Sequence, residues 1–228
     1  GGFVGYSSSS TFTNNKAAAS VVDTGWSAGG FTGADEGSTF VKCIASGNVE
    51  AGDWNVGGFG GYLSGNTTIT DSVALGDVTG KLTVNKAKAG GFVGTNKNSN
   101  IKNCYAAGTV TGSNEYAAAG GFVGYDDSGT TVSCYYDKTK NSALNAVGAI
   151  EKEGSNDIKG KESSELLADV CENYYGGHEY ETEWTVDKEA SCTEEGSQSH
   201  HCKRCENKTD VTVIEKKDHI LEKTEAKE

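Results

Sequence analysis

Large apolar residues in the first two-thirds of the chain do not form continuous runs; they recur at long, nearly constant intervals. Phe3, Phe31, Phe59, Phe92 and Phe122 each follow a Gly-Gly pair, at steps of 28, 28, 33 and 30 residues. A second apolar position comes nine or ten residues after each one (Phe12, Phe40, Ile69, Ile101, Val132), and a third nine residues later (Val21, Val49, Val78, Val110). Small and polar residues fill the intervals, so each unit reads as three short strands separated by tight corners. A unit of this size cannot enclose a core alone and becomes stable only by stacking on its neighbours. The pattern therefore predicts an all-β chain whose first part is a parallel β-solenoid of about five coils. The phenylalanines that follow Gly-Gly should form one internal ladder, with the other two columns as opposing walls.

Composition sharpens this expectation. The chain has 228 residues and no proline, although an average composition of about 5% would give roughly eleven. Strands paired on both sides have no free N–H position to give up, so a stacked solenoid excludes proline. Glycine at the corners supplies positive φ and close backbone approach. In the cleanest unit Gly90-Gly-Phe-Val-Gly94 leads to Ile101-Lys-Asn-Cys104-Tyr and then Gly108-Thr-Val110. Cys43, Cys104 and Cys134 fall in one column with Ser72 and read as small core residues; a Cys104–Cys134 bridge between neighbouring coils is the minor alternative. Asp35-Glu36, Asp126-Asp127 and Asp137 read as solvated corner residues.

The Gly-Gly-Phe-x-Gly pentapeptide, with its Ile-x-x-Cys-Tyr-Ala partner, resembles the GLUG repeat of bacterial surface proteins and of the non-catalytic region of immunoglobulin A-type peptidases. The resemblance covers about residues 1 to 140 and implies an exported protein on the bacterial cell surface or secreted. It implies no reaction, because the peptidase's His-Glu-x-x-His zinc signature is absent from this sequence.

The chain divides by charge and pattern into residues 1–150, the solenoid; 151–177, a capping helix and linker; and 178–228, a small β-rich module with a Cys/His cluster. Residues 1–150 carry 11 acids and 9 bases, and 151–228 carry 21 acids and 11 bases. In the linker, Leu166, Leu167, Val170, Cys171 and Tyr174 lie on one face of a helix that Ser163 or Ser164 can cap and Gly176-Gly177 can stop. Such a helix suits the exposed end of a solenoid, with Cys171 read as packing. In the last part Tyr180, Thr182, Trp184 and Val186 alternate as a strand, and Cys202-Lys-Arg-Cys205 forms a knuckle before Val211-Thr-Val213.

Three sulfurs and an imidazole suit tetrahedral zinc. The candidate structural zinc ligands are Cys192, Cys202, Cys205 and His219, with His178 or His201 as the alternative fourth ligand. A single disulfide, Cys192–Cys205 or Cys202–Cys205, makes opposite demands on the same sulfurs. The residues leave both readings open, with a slight preference for the metal because one bridge would leave a cysteine unpaired. This part also resembles the short His/Cys repeats near the C-termini of Firmicutes surface proteins, with Ser191 and Glu206 where Thr and Gly are common.

No nucleophile elbow, phosphate loop or convergent set of acids is visible, and the one arginine, Arg204, lies outside the repeats. The expectation is a non-enzymatic, adhesin-like or stalk module. The alternatives are a non-catalytic region of a larger secreted peptidase or glycan-active enzyme and, from another class, a β-helix polysaccharide lyase. A formal net charge of −12 argues against nucleic acid and anionic membrane as partners, and no segment could insert in a bilayer as an apolar helix. A host or environmental glycan or protein is the expected partner. With no initiator Met or signal segment, the sequence reads as part of a larger wall-anchored chain.

Overall fold

The computed structural model describes residues 1–52, 54–80, 87–112 and 118–218. It is a parallel β-solenoid of about five coils, followed by one helix and a small antiparallel sheet. Each full coil carries five short strands, not three. In the second coil they are Ser27–Gly29, Thr32–Glu36, Thr39–Val41, Ile44–Ala45 and Val49–Ala51. The extra breaks come from corners two or three residues long, which apolar spacing alone cannot register. Successive coils pair in parallel at equivalent positions, as in Gly57 with Gly29 and Gly90, and Val78 with Val49 and Val110. Pairing continues past residue 150, where Val147–Lys152 joins Val123–Asp127 and Ser155–Lys161 joins Thr130–Asp137.

The aromatic ladder forms as its spacing predicts. Ring centroids along Phe3, Phe31, Phe59, Phe92 and Phe122 stand 4.7, 5.0, 5.0 and 4.8 Å apart in near-parallel stacks, the strand spacing of a stacked sheet. Phe40 meets Phe31 and Phe59 edge-on at 5.7 Å, the geometry that aromatic quadrupoles favour. The second column runs Phe12, Phe40, Ile69 and Ile101 as expected, but ends at Thr131 and not Val132. A constant step of 30 residues in the last coil pairs Thr131 with Ile101, which buries Thr131 and leaves Val132 exposed. Cys43, Ser72, Cys104 and Cys134 are all fully buried, and all seven cysteines of the chain are unbridged.

The corners divide between different residues the two tasks expected of glycine. The left-handed positions are held mostly by other residues: Asn14, Lys42, Asp71, Asn103 and Ser133 form a column with φ between 49 and 57°. Asn and Asp tolerate this region because their short polar side chains bond locally. The motif glycines have ordinary φ and are needed for closeness. A Cβ on Gly58 would lie 2.2 Å from the Gly91 carbonyl oxygen, and one on Gly91 would lie 2.2 Å from that of Gly121.

Three acids read as solvated are buried. Asp35 accepts hydrogen bonds from Ser7 Oγ (2.6 Å) and the Ser38 amide (3.0 Å), and also from Thr67 Oγ1, so it ties three coils together. Asp126 accepts from the Gly129 amide and Asn156 Nδ2, and Asp137 from the Lys140 amide and Ser163 Oγ. Burial raises the Asp126 carboxyl above its usual range, against the pull of those donors. A carboxylate that caps backbone donors at a corner has the same sequence signature as a solvated one, so composition could not separate them.

Helix α1 (Ser163–Tyr174) occupies the expected residues but not the expected place. It lies along the solenoid flank, where Leu166 and Val170 pack on the outward row Ile44, Val73, Tyr105 and Ala107. At its start Ser163 Oγ reaches Asp137 on the fifth coil; near its end Tyr174 Oη donates to the Asn103 carbonyl (2.6 Å) and Lys16 of the first coil lies 5.3 Å from the Tyr175 ring. Twelve residues at 1.5 Å give about 18 Å, and four coil intervals of ~4.8 Å give ~19 Å, so the helix matches the stack it covers. The apolar outward row explains the placement: it would otherwise be an exposed stripe.

Candidate metal centre

The sheet after the helix has three antiparallel strands, Thr185–Lys188, Gly196–His201 and Lys208–Ile214. Its packing is thin. Among the described residues from 178 onward, Ala190 and Cys202 are the buried apolar side chains, while Trp184, Val186, Val211 and Val213 are exposed. Units of this size rarely hold a fold by apolar burial alone and commonly need a metal or a disulfide.

The knuckle Cys202-Lys203-Arg204-Cys205 joins the second and third strands and is closed by the Cys202 amide donating to the Asn207 carbonyl (2.8 Å). Tyr180 bridges to Cys202, which brings the start of the module across the knuckle. On the other side, Gly176 (φ 75°) and Gly177 (φ 112°) stop α1, and the Gly177 amide donates back to the Cys171 carbonyl at 3.0 Å. That reversal, closed by a hydrogen bond one residue wider than a Schellman turn's, turns the chain sharply enough for His178 to meet the last helical turn.

These elements converge Cys171, His178, Cys202 and Cys205, whose potential ligand atoms all lie within 4.8 Å of one another. Zn–S bonds of 2.3 Å and Zn–N bonds of 2.0–2.1 Å place tetrahedral neighbours about 3.6–3.8 Å apart, so the cluster needs to close by only ~1 Å. His178 Nδ1 already stands 3.2 Å from Cys205 Sγ. Its other nitrogen, Nε2, stands 3.2 Å from Glu172 Oε1 and 3.4 Å from Asn207 Nδ2. Burial opposes ionisation of Cys202, but the Arg204 amide, His178 and the Cys205 backbone outweigh it and hold this thiol down to about 6. Burial, followed by the neighbouring Cys205, pushes Cys171 up to about 12, and burial also raises Cys205. The donors around Cys202 favour its thiolate, and a bound cation would displace the protons of the sulfurs it takes.

The cluster could hold a metal ion. Of the ligands expected from sequence it unites Cys202, Cys205 and the alternative His178. Cys192 stands apart and exposed, His201 Nε2 pairs with Asp187 Oδ1 at 2.8 Å, and His219 lies outside the described residues. Cys171 was missed because it sits on the apolar stripe of α1, 31 residues before Cys202, and spacing gives no hint that the helix ends beside the knuckle.

A family model described as the GLUG motif matches residues 52–79 and 88–111, which correspond to the third and fourth coils. No curated protein and no solved structure matches the chain. Among the described residues no helix is long and apolar enough to cross a membrane.

Proposed function

We propose that this chain is a non-catalytic module of an exported bacterial protein, at the cell surface or secreted, which extends a binding surface away from its point of attachment. The observation that carries the reading is the unbroken parallel stacking of coils over about 150 residues. Polar side chains such as Asp35, Asp126 and Asp137 are engaged in bonds between or within coils. Exposed or half-buried strand positions carry Thr11, Thr39, Thr68, Asn100 and Thr130 in one paired row. A row of amides and hydroxyls at ~4.8 Å spacing suits a glycan or an extended polypeptide as partner.

The ion we assign to the tail cluster is zinc. Three sulfurs and one imidazole saturate four positions, a donor set that favours zinc over the hard, oxygen-seeking cations.

A glycan array, paired with turnover assays on peptide and polysaccharide panels, tests the function. The expected result is retention on a subset of glycans with no product formed from any substrate. Turnover that follows the purified chain through successive columns would overturn the reading.

A further inference from the structure

We propose that zinc held by Cys171, His178, Cys202 and Cys205 is a clasp that fastens the tail sheet to the solenoid flank, so that metal sets where the tail sits. The proposal rests on the assignment of zinc above and adds what the site does. Its ligands come from three places: Cys202 and Cys205 from the tail knuckle, His178 from the connecting turn, and Cys171 from α1. Cys171 is itself fixed, because its neighbour Val170 packs on the solenoid row of Val73 and Tyr105. A metal bonded to both sides therefore couples the tail to the coils through a single helical residue.

Among the described residues, two further contacts between the tail and the end of the helix each have one exposed partner, Arg204 in one and Glu172 in the other. Arg204 lies over the Tyr175 ring at 4.4 Å, and Glu172 reaches His178. Charged contacts with an exposed partner hold little on their own, and among the described residues from 178 onward only Ala190 and Cys202 are buried apolar side chains.

His178 is oriented for the task by the helix as well. His178 Nε2 lies 3.2 Å from the Glu172 carboxylate and Nδ1 lies 3.2 Å from Cys205 Sγ, so binding a metal through Nδ1 would put the ring proton on Nε2, beside that carboxylate. Metal-bound imidazoles characteristically donate their second N–H to a carboxylate or carbonyl. Asn207 Nδ2, a donor, faces Nε2 at 3.4 Å, which matches the tautomer with its proton on Nδ1, so metal binding through Nδ1 would move that proton to Nε2 and toward Glu172. Helix α1 thus contributes one ligand and places a carboxylate beside the second nitrogen of another, which a metal site internal to the tail would not require.

The test uses the whole chain, purified without chelator, with zinc measured by elemental mass spectrometry and protection measured by amide hydrogen exchange. The wild type should hold one zinc per chain. Chelation should raise exchange at least tenfold across 178–214 and the last turn of α1, leaving the coils between residues 30 and 110 unchanged. Cys171→Ser should lose more zinc affinity than the ~10–100-fold typical of an outer-shell loss, and Glu172→Gln should fall within that range. Cys192→Ser should match the wild type. A wild type without zinc overturns both the clasp and the assignment of zinc. Zinc held equally well by Cys171→Ser, or tail protection indifferent to chelator, overturns the clasp while leaving zinc in the tail.

Discussion

Phe92→Asp should abolish the folded solenoid at 37 °C. Phe92 is fully buried between Phe59 and Phe122, with ring centroids at 5.0 and 4.8 Å. Loss of the ring alone costs about 3–5 kcal/mol as in other Phe truncations, and an unpartnered buried carboxylate adds several more. The sum approaches or exceeds the roughly 5–15 kcal/mol that holds a domain together. Because each coil is stabilised by its neighbours, the defect should spread along the stack. Phe3→Asp provides the contrast, since Phe3 is 47% exposed at the end of the ladder and its loss should fray only the first coil. Far-ultraviolet circular dichroism with thermal melting reads both, and a native-like melting temperature for Phe92→Asp would contradict the ladder.

Gly91→Val should be nearly as damaging, although it adds only a small apolar side chain to a buried site. The new Cβ would stand 2.2 Å from the Gly121 carbonyl oxygen and 3.2 Å from the Ala106 methyl. The nearest obstacle is backbone already committed to the stack, so no rotamer change relieves it. Overpacking of ordinary cores costs about 1–3 kcal/mol, and a clash that separates two coils should exceed that range. Gly5→Val is the control, because a Cβ there meets nothing within 4 Å. Urea unfolding should show a large drop in midpoint for Gly91→Val and almost none for Gly5→Val; equal midpoints would mean that the motif glycines do not set the coil spacing.

The solenoid was legible because its cause is periodic. The same side chain returns to the same place once per coil, so Phe3 to Phe122 and Val21 to Val110 announce their contacts directly in the sequence. Features that arise once were not legible. The helix was visible from its apolar face, but its resting place depended on Ile44, Val73 and Tyr105 pointing outward, each next to a buried column residue. The Cys202-x-x-Cys205 knuckle identified two members of the candidate metal centre, yet the third sulfur, Cys171, comes from the helix through a turn whose direction Gly176 and Gly177 set by backbone conformation. Asp35 and Asp126 differ from expectation for a related reason: each caps an amide three residues on, as a solvated corner acid also can, and its burial comes from partners distant in sequence, Ser7 and Thr67 for Asp35 and Asn156 for Asp126.

The register of stacking is the claim on which the rest depends, and a cross-link reads it most directly. Thr79 pairs with Thr111 on adjacent coils, within the Cα separation of about 4.4–6.8 Å that a disulfide accepts. Thr79→Cys with Thr111→Cys should therefore form an intramolecular bridge on mild oxidation, identified by peptide mass mapping. Thr79→Cys with Thr109→Cys, displaced by two residues along the strand, should not. Bridging of the displaced pair in preference to the registered one would contradict the parallel stack.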